Sequence, residues 1–278
     1  MPTGLALTIG LNSIDSTHYA GWEGHLTGCE YDAEDMTQVA KFKGFDVKKL
    51  ITKDATVANV EHNLLHASQQ LKPGDLFLLT YSGHGGQVPD INHDELDHVD
   101  ETWCLYDRQF LDDELYYFLS RFKEEVRILV FIDCCHSGTV TRSINTNNKI
   151  DMLNSNVDSK GNRYKFVPKS ILSTTFKKHQ EIYKKIQLNS KLKNTKSKLK
   201  ASTIMISSCQ SDQLSLDGTF NGLFTSNLLD VWKEGTFKGS YRRFHKTIIG
   251  QMPPDQTPMY ILTGKFNRDF ENQYPLTI

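Results

Sequence analysis

The chain has 278 residues and a net charge of −1, which is length for one large α/β domain or two small ones with a sizeable core. A charge so balanced gives no global field to draw nucleic acid or an acidic partner. The N-terminus, MPTGLALTIG, lacks the basic start and long apolar run of a signal peptide. No stretch nears about 18 consecutive apolar residues, so no transmembrane helix is expected.

Leu5–Asn12 is a short apolar run ending in turn residues, the pattern of a buried strand. Between Cys29 and Phe42, Ala33, Met36, Val39 and Ala40 recur at helical spacing. Asp46–Thr52 predicts a second strand. Thr56–Leu71 predicts a helix with Val57, Val60, Leu64, Leu65 and Leu71 on one face, stopped by Pro73-Gly74. Asp75–Gly83 is a continuous apolar strand. A helix is expected from Leu111 to Lys123, and Arg127–Cys135 is another buried strand. Ser202–Cys209 and Pro258–Gly264 read as two more, with helices at Gly222–Trp232 and Ser240–Ile249.

Strands alternating with helices predict an α/β fold, a mainly parallel six-stranded sheet with helices on both faces. Ligands of such sheets bind beyond the carboxyl ends of the strands. Two segments break the alternation. Residues 90–114 carry ten acids and one arginine, too acidic for core. Residues 145–200 are polar, and Lys177–Lys200 holds nine lysines and one acid, the composition of an exposed, mobile insertion or linker.

There are five cysteines, Cys29, Cys104, Cys134, Cys135 and Cys209. An odd count at wide spacing is no disulfide framework, and there is no C-x-x-C zinc spacing. A reducing, cytoplasmic compartment is expected.

FIDCCHSGTV, residues 131–140, places Asp133, Cys134 and Cys135 at the end of an apolar strand. Adjacent cysteines rarely bond to each other. The pair is a metal site, two buried thiols or a nucleophile with its neighbour. A nucleophilic thiolate needs access and a lowered pKa, and a nearby imidazole supplies the second. His84 stands in Ser82-Gly83-His84-Gly85-Gly86, also just past a core strand. If the two strands are neighbours, His84 and Cys135 face each other across one cleft as base and nucleophile. The Gly85 amide is then a candidate oxyanion donor beside the strand-end turn at Cys135.

These residues resemble the caspase-like cysteine peptidases, most closely metacaspases and the prokaryotic homologues called orthocaspases. Tyr81-Ser82-Gly83-His84-Gly85 matches the histidine motif and Asp133-Cys134-Cys135-His136-Ser137-Gly138 the cysteine motif. The stretch SSCQSDQLSLDGTFNGLFTSNLL, residues 207–229, is similar to the family's small-subunit region. The resemblance implies the caspase-hemoglobinase fold, with a large-subunit-like region 1–143, a linker 144–200 and a small-subunit-like region 201–278 in one domain. It implies a Cys135–His84 dyad and an oxyanion hole from the Gly85 and Cys135 amides. His136 need not take part.

Metacaspases receive Arg or Lys in an acidic pocket. The matching positions are Asp32 and Asp133, with Ser82 and Cys29 as neighbours; a carboxylate pair suits guanidinium or ammonium. Read from the residues alone, Asp32 is equally a surface helix acid and Asp133 a turn former. Asp100, Asp112 and Asp113 are similar to three calcium-ligand positions of the family, calcium being a hard cation that takes oxygen ligands. The fourth position falls on Arg142. The acids are otherwise a solvated loop beside a basic-substrate cleft. No cofactor is required; calcium is an optional activator.

The expected activity is a cysteine endopeptidase cutting after Arg or Lys, self-processing in Lys177–Lys200. Its partners are protein or peptide substrates and an activating protein; it is expected to be a monomer without membrane or nucleic-acid contacts. The alternatives are a caspase-fold regulatory or interaction protein without turnover, and a hydrolase of non-peptide amides or esters.

Overall fold

The computed structural model describes residues 1–93, 95, 97–135, 154–210 and 213–278. Its central sheet runs β1 (Gly4–Gly10), β2 (Asp46–Ile51), β3 (Leu76–Ser82), β7 (Arg127–Asp133), β8 (Ser202–Ser207) and β9 (Met259–Thr263). The spatial order is β2-β1-β3-β7-β8-β9. All neighbours pair in parallel except β9, which runs antiparallel to β8. A smaller antiparallel sheet joins β4 (Gly85–Pro89), β5 (Val99–Cys104) and β6 (Gln109–Leu111).

Alternation along the strands divides the core into two layers. Phe77, Leu79, Tyr81, Ile128, Val130 and Ile132 face one layer, which holds α2 (Val57–Gln70) and α3 (Asp112–Leu119). Leu76, Leu78, Leu129, Phe131, Ile204 and Ile206 face the other, against α1 (Cys29–Phe42), α6 (Leu223–Trp232) and α7 (Tyr241–Ile249). Each such side chain, fully buried, contributes on the order of 1.5–3 kcal/mol. This two-sided burial is why the strands read as continuous apolar runs.

The register positions the site. Ser82 lies directly opposite Asp133 across the β3–β7 pair. Two residues further along each strand stand His84 and Cys135.

Two segments depart from expectation. The second part of the acidic stretch, residues 100–114, is built into the core: Trp103, Cys104, Leu105, Phe110 and Leu111 are buried, and even Asp100 is enclosed. Its acids are interleaved with apolar residues that the small sheet turns inward. The lysine-rich stretch is folded as well. Lys169–Lys178 forms α4 and Gln180–Gln187 forms α5, and Tyr183 packs with Val88 and Leu111. Its lysines are largely exposed, but the backbone beneath them is helical. The helix expected to reach Lys123 stops at Leu119, because the chain must turn back into β7 at Arg127. The positions His136, Ser137, Gly138 and Arg142, and the boundary at residue 143, lie outside the described residues.

Candidate active site

His84 is held by its backbone and its ring. Tyr81 Oη donates to the His84 carbonyl at 2.7 Å, and the Cys104 amide donates to the same oxygen at 2.9 Å. Tyr81 in turn stacks on Trp103 at 4.5 Å between ring centroids. The imidazole lies against Trp22, and its Nε2 is 2.8 Å from the Gly24 carbonyl. A carbonyl only accepts, so Nε2 carries the proton and Nδ1 keeps its lone pair. Nδ1 is buried and has no hydrogen-bond partner among the described residues. Burial pulls the His84 pKa down to about 4, against the raising effect of the Gly24 carbonyl. The ring is therefore neutral at pH 7 and available as a base.

Cys134 and Cys135 leave the strand in different directions. Cys134 packs into the layer that holds Tyr81 and Ile132, while Cys135 joins a small cluster with Phe166, Cys209 and Leu214. The Ser215 amide donates to Cys135 Sγ. Burial pushes the Cys135 thiol well up and Cys209 adds to this, with the Ser215 amide pulling the other way. In this state the sulfur is a protonated thiol.

Asp32, Asp133 and Ser82 form one pocket, with Cys29 at its edge. Ser82 Oγ donates to Asp32 Oδ2 at 2.6 Å. Asp32 Oδ1 accepts from the Gly222 amide at 2.9 Å and from Asn221 Nδ2 at 3.1 Å. Asp133 accepts from Ser215 Oγ at 2.7 Å and from Thr225 Oγ1 at 2.8 Å. Burial pushes Asp32 up to about 6, Lys165 opposes that, and Asp133 adds to it. Cys29 is buried, and its thiol is raised well above the ordinary value by that burial.

The pocket holds a lysine. Lys165 is 0 % exposed, and its Nζ lies 2.9 Å from Asp32 Oδ2, 3.0 Å from Asp133 Oδ2 and 3.0 Å from Ser82 Oγ. Burial alone would lower the lysine pKa, but Asp133 and Asp32 more than reverse it and hold the ammonium charged. The Lys165 carbonyl accepts from the Gly85 amide at 3.0 Å and from the Cys135 amide at 3.1 Å. Both amides expected to stabilise an oxyanion thus converge on one carbonyl oxygen.

Lys165 was not legible as a site residue; its one signal is an apolar island, Tyr164-Lys165-Phe166-Val167, within a polar stretch. Gly222, Ser215 and Thr225 were also missed. Gly222 keeps the pocket open, because a Cβ there would land on Lys165 Nζ and Asp133 Oδ2. Gly222→Ala is expected to lower kcat/KM for a lysine peptide roughly 5- to 150-fold, the rate equivalent of about 1–3 kcal/mol of overpacking. Steady-state kinetics with a peptide series decides it, and an unchanged value would remove Gly222 from the pocket wall.

Among the described residues, no three carboxylate, imidazole or thiol groups are placed to hold one metal ion. Asp100, Asp112 and Asp113 are an acidic neighbourhood. Burial, then Asp113, Glu101 and Asp100, pushes the Asp112 carboxyl well up. Asp112 and Asp113 open α3, where the helix dipole favours acids.

An α/β sheet of this topology, with a thiol and an imidazole at the tips of adjacent central strands, defines a caspase-like hydrolase scaffold. The caspase-domain family profile matches residues 3–269, so the chain belongs to the caspase-domain family of cysteine-type peptidases. It is 35% identical to metacaspase-1 of Kluyveromyces lactis over 150 residues, 49% of this chain and 33% of that protein. It is 32% identical to metacaspase-1 of Plasmodium falciparum over 151 residues, 48% of this chain and 24% of that protein. The matches thus span a quarter to a third of the length of these relatives. A crystal structure of a Geobacter sulfurreducens protein is 49% identical with TM-score 0.88, covering 100% of this chain and 99% of that one. Caspase-1 from Spodoptera frugiperda shares the fold at 12% identity and TM-score 0.51, over 95% of this chain and 86% of that one. Among the described residues no helix is long and apolar enough to cross a membrane.

Proposed function

We propose that the protein is a cysteine endopeptidase that cuts protein substrates after lysine or arginine. One observation carries the reading: a single lysine meets two buried carboxylates with its ammonium, while its carbonyl meets the amides beside the thiol. Those are the two demands of a basic residue before a scissile bond.

Cys135 gives its proton to His84 Nδ1 and attacks the carbonyl carbon. The Gly85 and Cys135 amides hold the developing oxyanion. His84, steadied by the Gly24 carbonyl, then protonates the leaving amine. Water releases the acyl group. All five cysteines are free and buried, which supports a reducing, cytoplasmic setting.

The test is turnover of fluorogenic peptides ending in Lys, Arg or Asp, with calcium and with chelator. Turnover of Lys and Arg peptides alone is expected. Turnover of Asp peptides alone would overturn the specificity, and none at all would favour a regulatory scaffold. The same assay has a pH signature. Asp32, with its pKa raised to about 6, is neutral below that pH and ionised above it. A cation binds the ionised form, and the resident Lys165 already holds this pKa down, so KM for Lys and Arg peptides rises as pH falls from neutrality to 6 and below. A KM flat from pH 7.5 to 5 would exclude Asp32 from binding charge.

A further inference from the structure

We propose that Cys209 is a second reactive thiol behind the nucleophile: a small peroxide oxidises it, it bonds to Cys135, and the Cys135–Cys209 disulfide stops the enzyme reversibly. The loss of turnover rests on the endopeptidase reading above; the bond itself does not.

Strand pairing brings the two thiols together. β8 runs parallel to β7 with Ser207 opposite Ile132, and the Ser208 amide donates to the Ile132 carbonyl at 2.8 Å. Just beyond, Ser208 Oγ donates to the Cys134 carbonyl at 3.0 Å, and Cys209 Sγ lies 3.7 Å from the same oxygen. That carbonyl belongs to the peptide that carries Cys135. Paired strands lie about 4.8 Å apart, inside the roughly 4.4–6.8 Å between Cα atoms that a disulfide spans. Facing decides which thiol is the partner. Cys134 packs into the layer with Tyr81 and Ile132. β8 ends at Ser207, and Cys209 joins Cys135, Phe166 and Leu214 in one cluster. Cys209 also acts on Cys135 as a hydrogen-bonding side chain, which sets the two sulfurs within reach of each other.

The thiols differ in access. Cys135 is 0 % exposed, and Lys165 fills the cleft in front of it. Cys209 is 6 % exposed and, with Ile132 and Ser207, lines a cavity of about 330 Å³ on the α3 side of the sheet. Glu95 and Asp97 also line this cavity and are exposed, so it opens to solvent. Together with Glu101 they outnumber the cation Lys196 among the described lining residues. That excess of negative charge favours an uncharged peroxide over an anionic oxidant. No step of peptide hydrolysis uses Cys209, so its sulfur is free for this chemistry.

The step balances. One peroxide oxygen passes to the Cys209 sulfur as the O–O bond breaks, and the thiol proton leaves with the other oxygen as water. The Cys135 sulfur then attacks the sulfenic sulfur. The S–O bond breaks, and that oxygen leaves with the Cys135 proton as a second water. Two thiols lose two electrons, and one peroxide gains them. Cys135 then has no thiol to turn on a scissile carbonyl. A dithiol reverses the bond by exchange through a mixed disulfide. Disulfides in a reducing compartment are usually transient ones of this kind.

The full chain, reduced and freed of reductant, is exposed to hydrogen peroxide and followed by intact mass, non-reducing peptide mapping and turnover of a lysine peptide. A loss of two hydrogens and a linked Cys135–Cys209 peptide pair are expected. Turnover falls at least about tenfold in step, and dithiothreitol restores it. Cys209→Ser is expected to keep reduced turnover within about threefold and to form no link. Whatever turnover that variant loses to peroxide stays lost, because Cys135 passes on to sulfinic acid. Cys134→Ala links and recovers like the wild type. A Cys134–Cys209 link, five free thiols after turnover is lost, or recovery of Cys209→Ser as full as that of the wild type would overturn the proposal. Should Cys209→Ser fail to fold, the mapped link and its persistence in Cys134→Ala still decide the matter. If even the reduced chain turns over no peptide, the endopeptidase reading falls, while the mass data decide the link on their own.

Discussion

Cys135→Ala is expected to bring peptide turnover to background, a fall in kcat on the order of 10⁶-fold, the scale on which a peptidase loses its nucleophile. His84→Ala should fall less, by about 10²- to 10⁴-fold, the contribution of a positioned general base. The difference has a structural cause. The two amides that hold the carbonyl belong to Gly85 and Cys135 backbone, so neither substitution removes them. Without the imidazole, the small fraction of thiolate that forms still attacks a held carbonyl, since a thiol is the least dependent of nucleophiles on its base. Without the sulfur there is nothing to attack with. Cys134→Ala is the control: Cys134 packs into the core layer with Tyr81, and its loss should cost stability while leaving kcat within about threefold. Single-turnover and steady-state rates on a lysine peptide measure all three. Full activity in His84→Ala would place the base elsewhere, and loss in Cys134→Ala with retention in Cys135→Ala would exchange the roles of the two thiols.

What the sequence disclosed followed from how local the signal is. Phe77–Tyr81 and Ile128–Ile132 are apolar throughout because both faces of their strands are covered, and that needs no knowledge of the partner. The helix from Cys29 to Phe42 was legible to its ends because its buried face repeats at helical spacing. That β3 and β7 are neighbours was only conditional, since pairing is set by the whole sheet and the acid-rich residues 90–114 around β5 and β6 intervene between motifs. Strand β5 was hidden because Asp100 and Glu101 mask Trp103 and Cys104. Lys165 was hidden for a deeper reason. Lysine is ordinarily a surface residue, and what encloses this one is a carboxylate 133 positions away in sequence. Composition marked the neighbouring lysines of α4 and α5 instead, and those point to solvent.

Asp32→Asn and Asp133→Asn together are expected to reduce kcat/KM for Lys and Arg peptides by about 10³-fold or more, while each alone costs roughly 3- to 30-fold, somewhat below the 1.5–3 kcal/mol of one charge-assisted hydrogen bond. The non-additivity follows from the charge balance. The resting pocket sets two carboxylates against one ammonium, so it carries a surplus negative charge; burial is the main cause of the raised Asp32 pKa, and Asp133 adds to it against the pull of Lys165. Either single substitution leaves one carboxylate facing the substrate cation and relieves the repulsion between the acids. The double variant leaves a buried cation with no counter-charge, which proteins tolerate at several kcal/mol. Asparagine keeps the outline of the carboxylate but only one of its two acceptor oxygens: at position 32 that oxygen can still take the Gly222 amide, and the hydroxyls of Ser82, Ser215 and Thr225 can turn to accept from the new NH2. A double-mutant cycle on paired lysine and norleucine peptides, equal in length and differing in charge, reads the coupling directly. The norleucine peptide should change by less than about threefold across the cycle. If the double variant still favours lysine over norleucine as strongly as the wild type, the selection for charge is made by other groups, and Asp32 and Asp133 serve only to hold Lys165 in the resting chain.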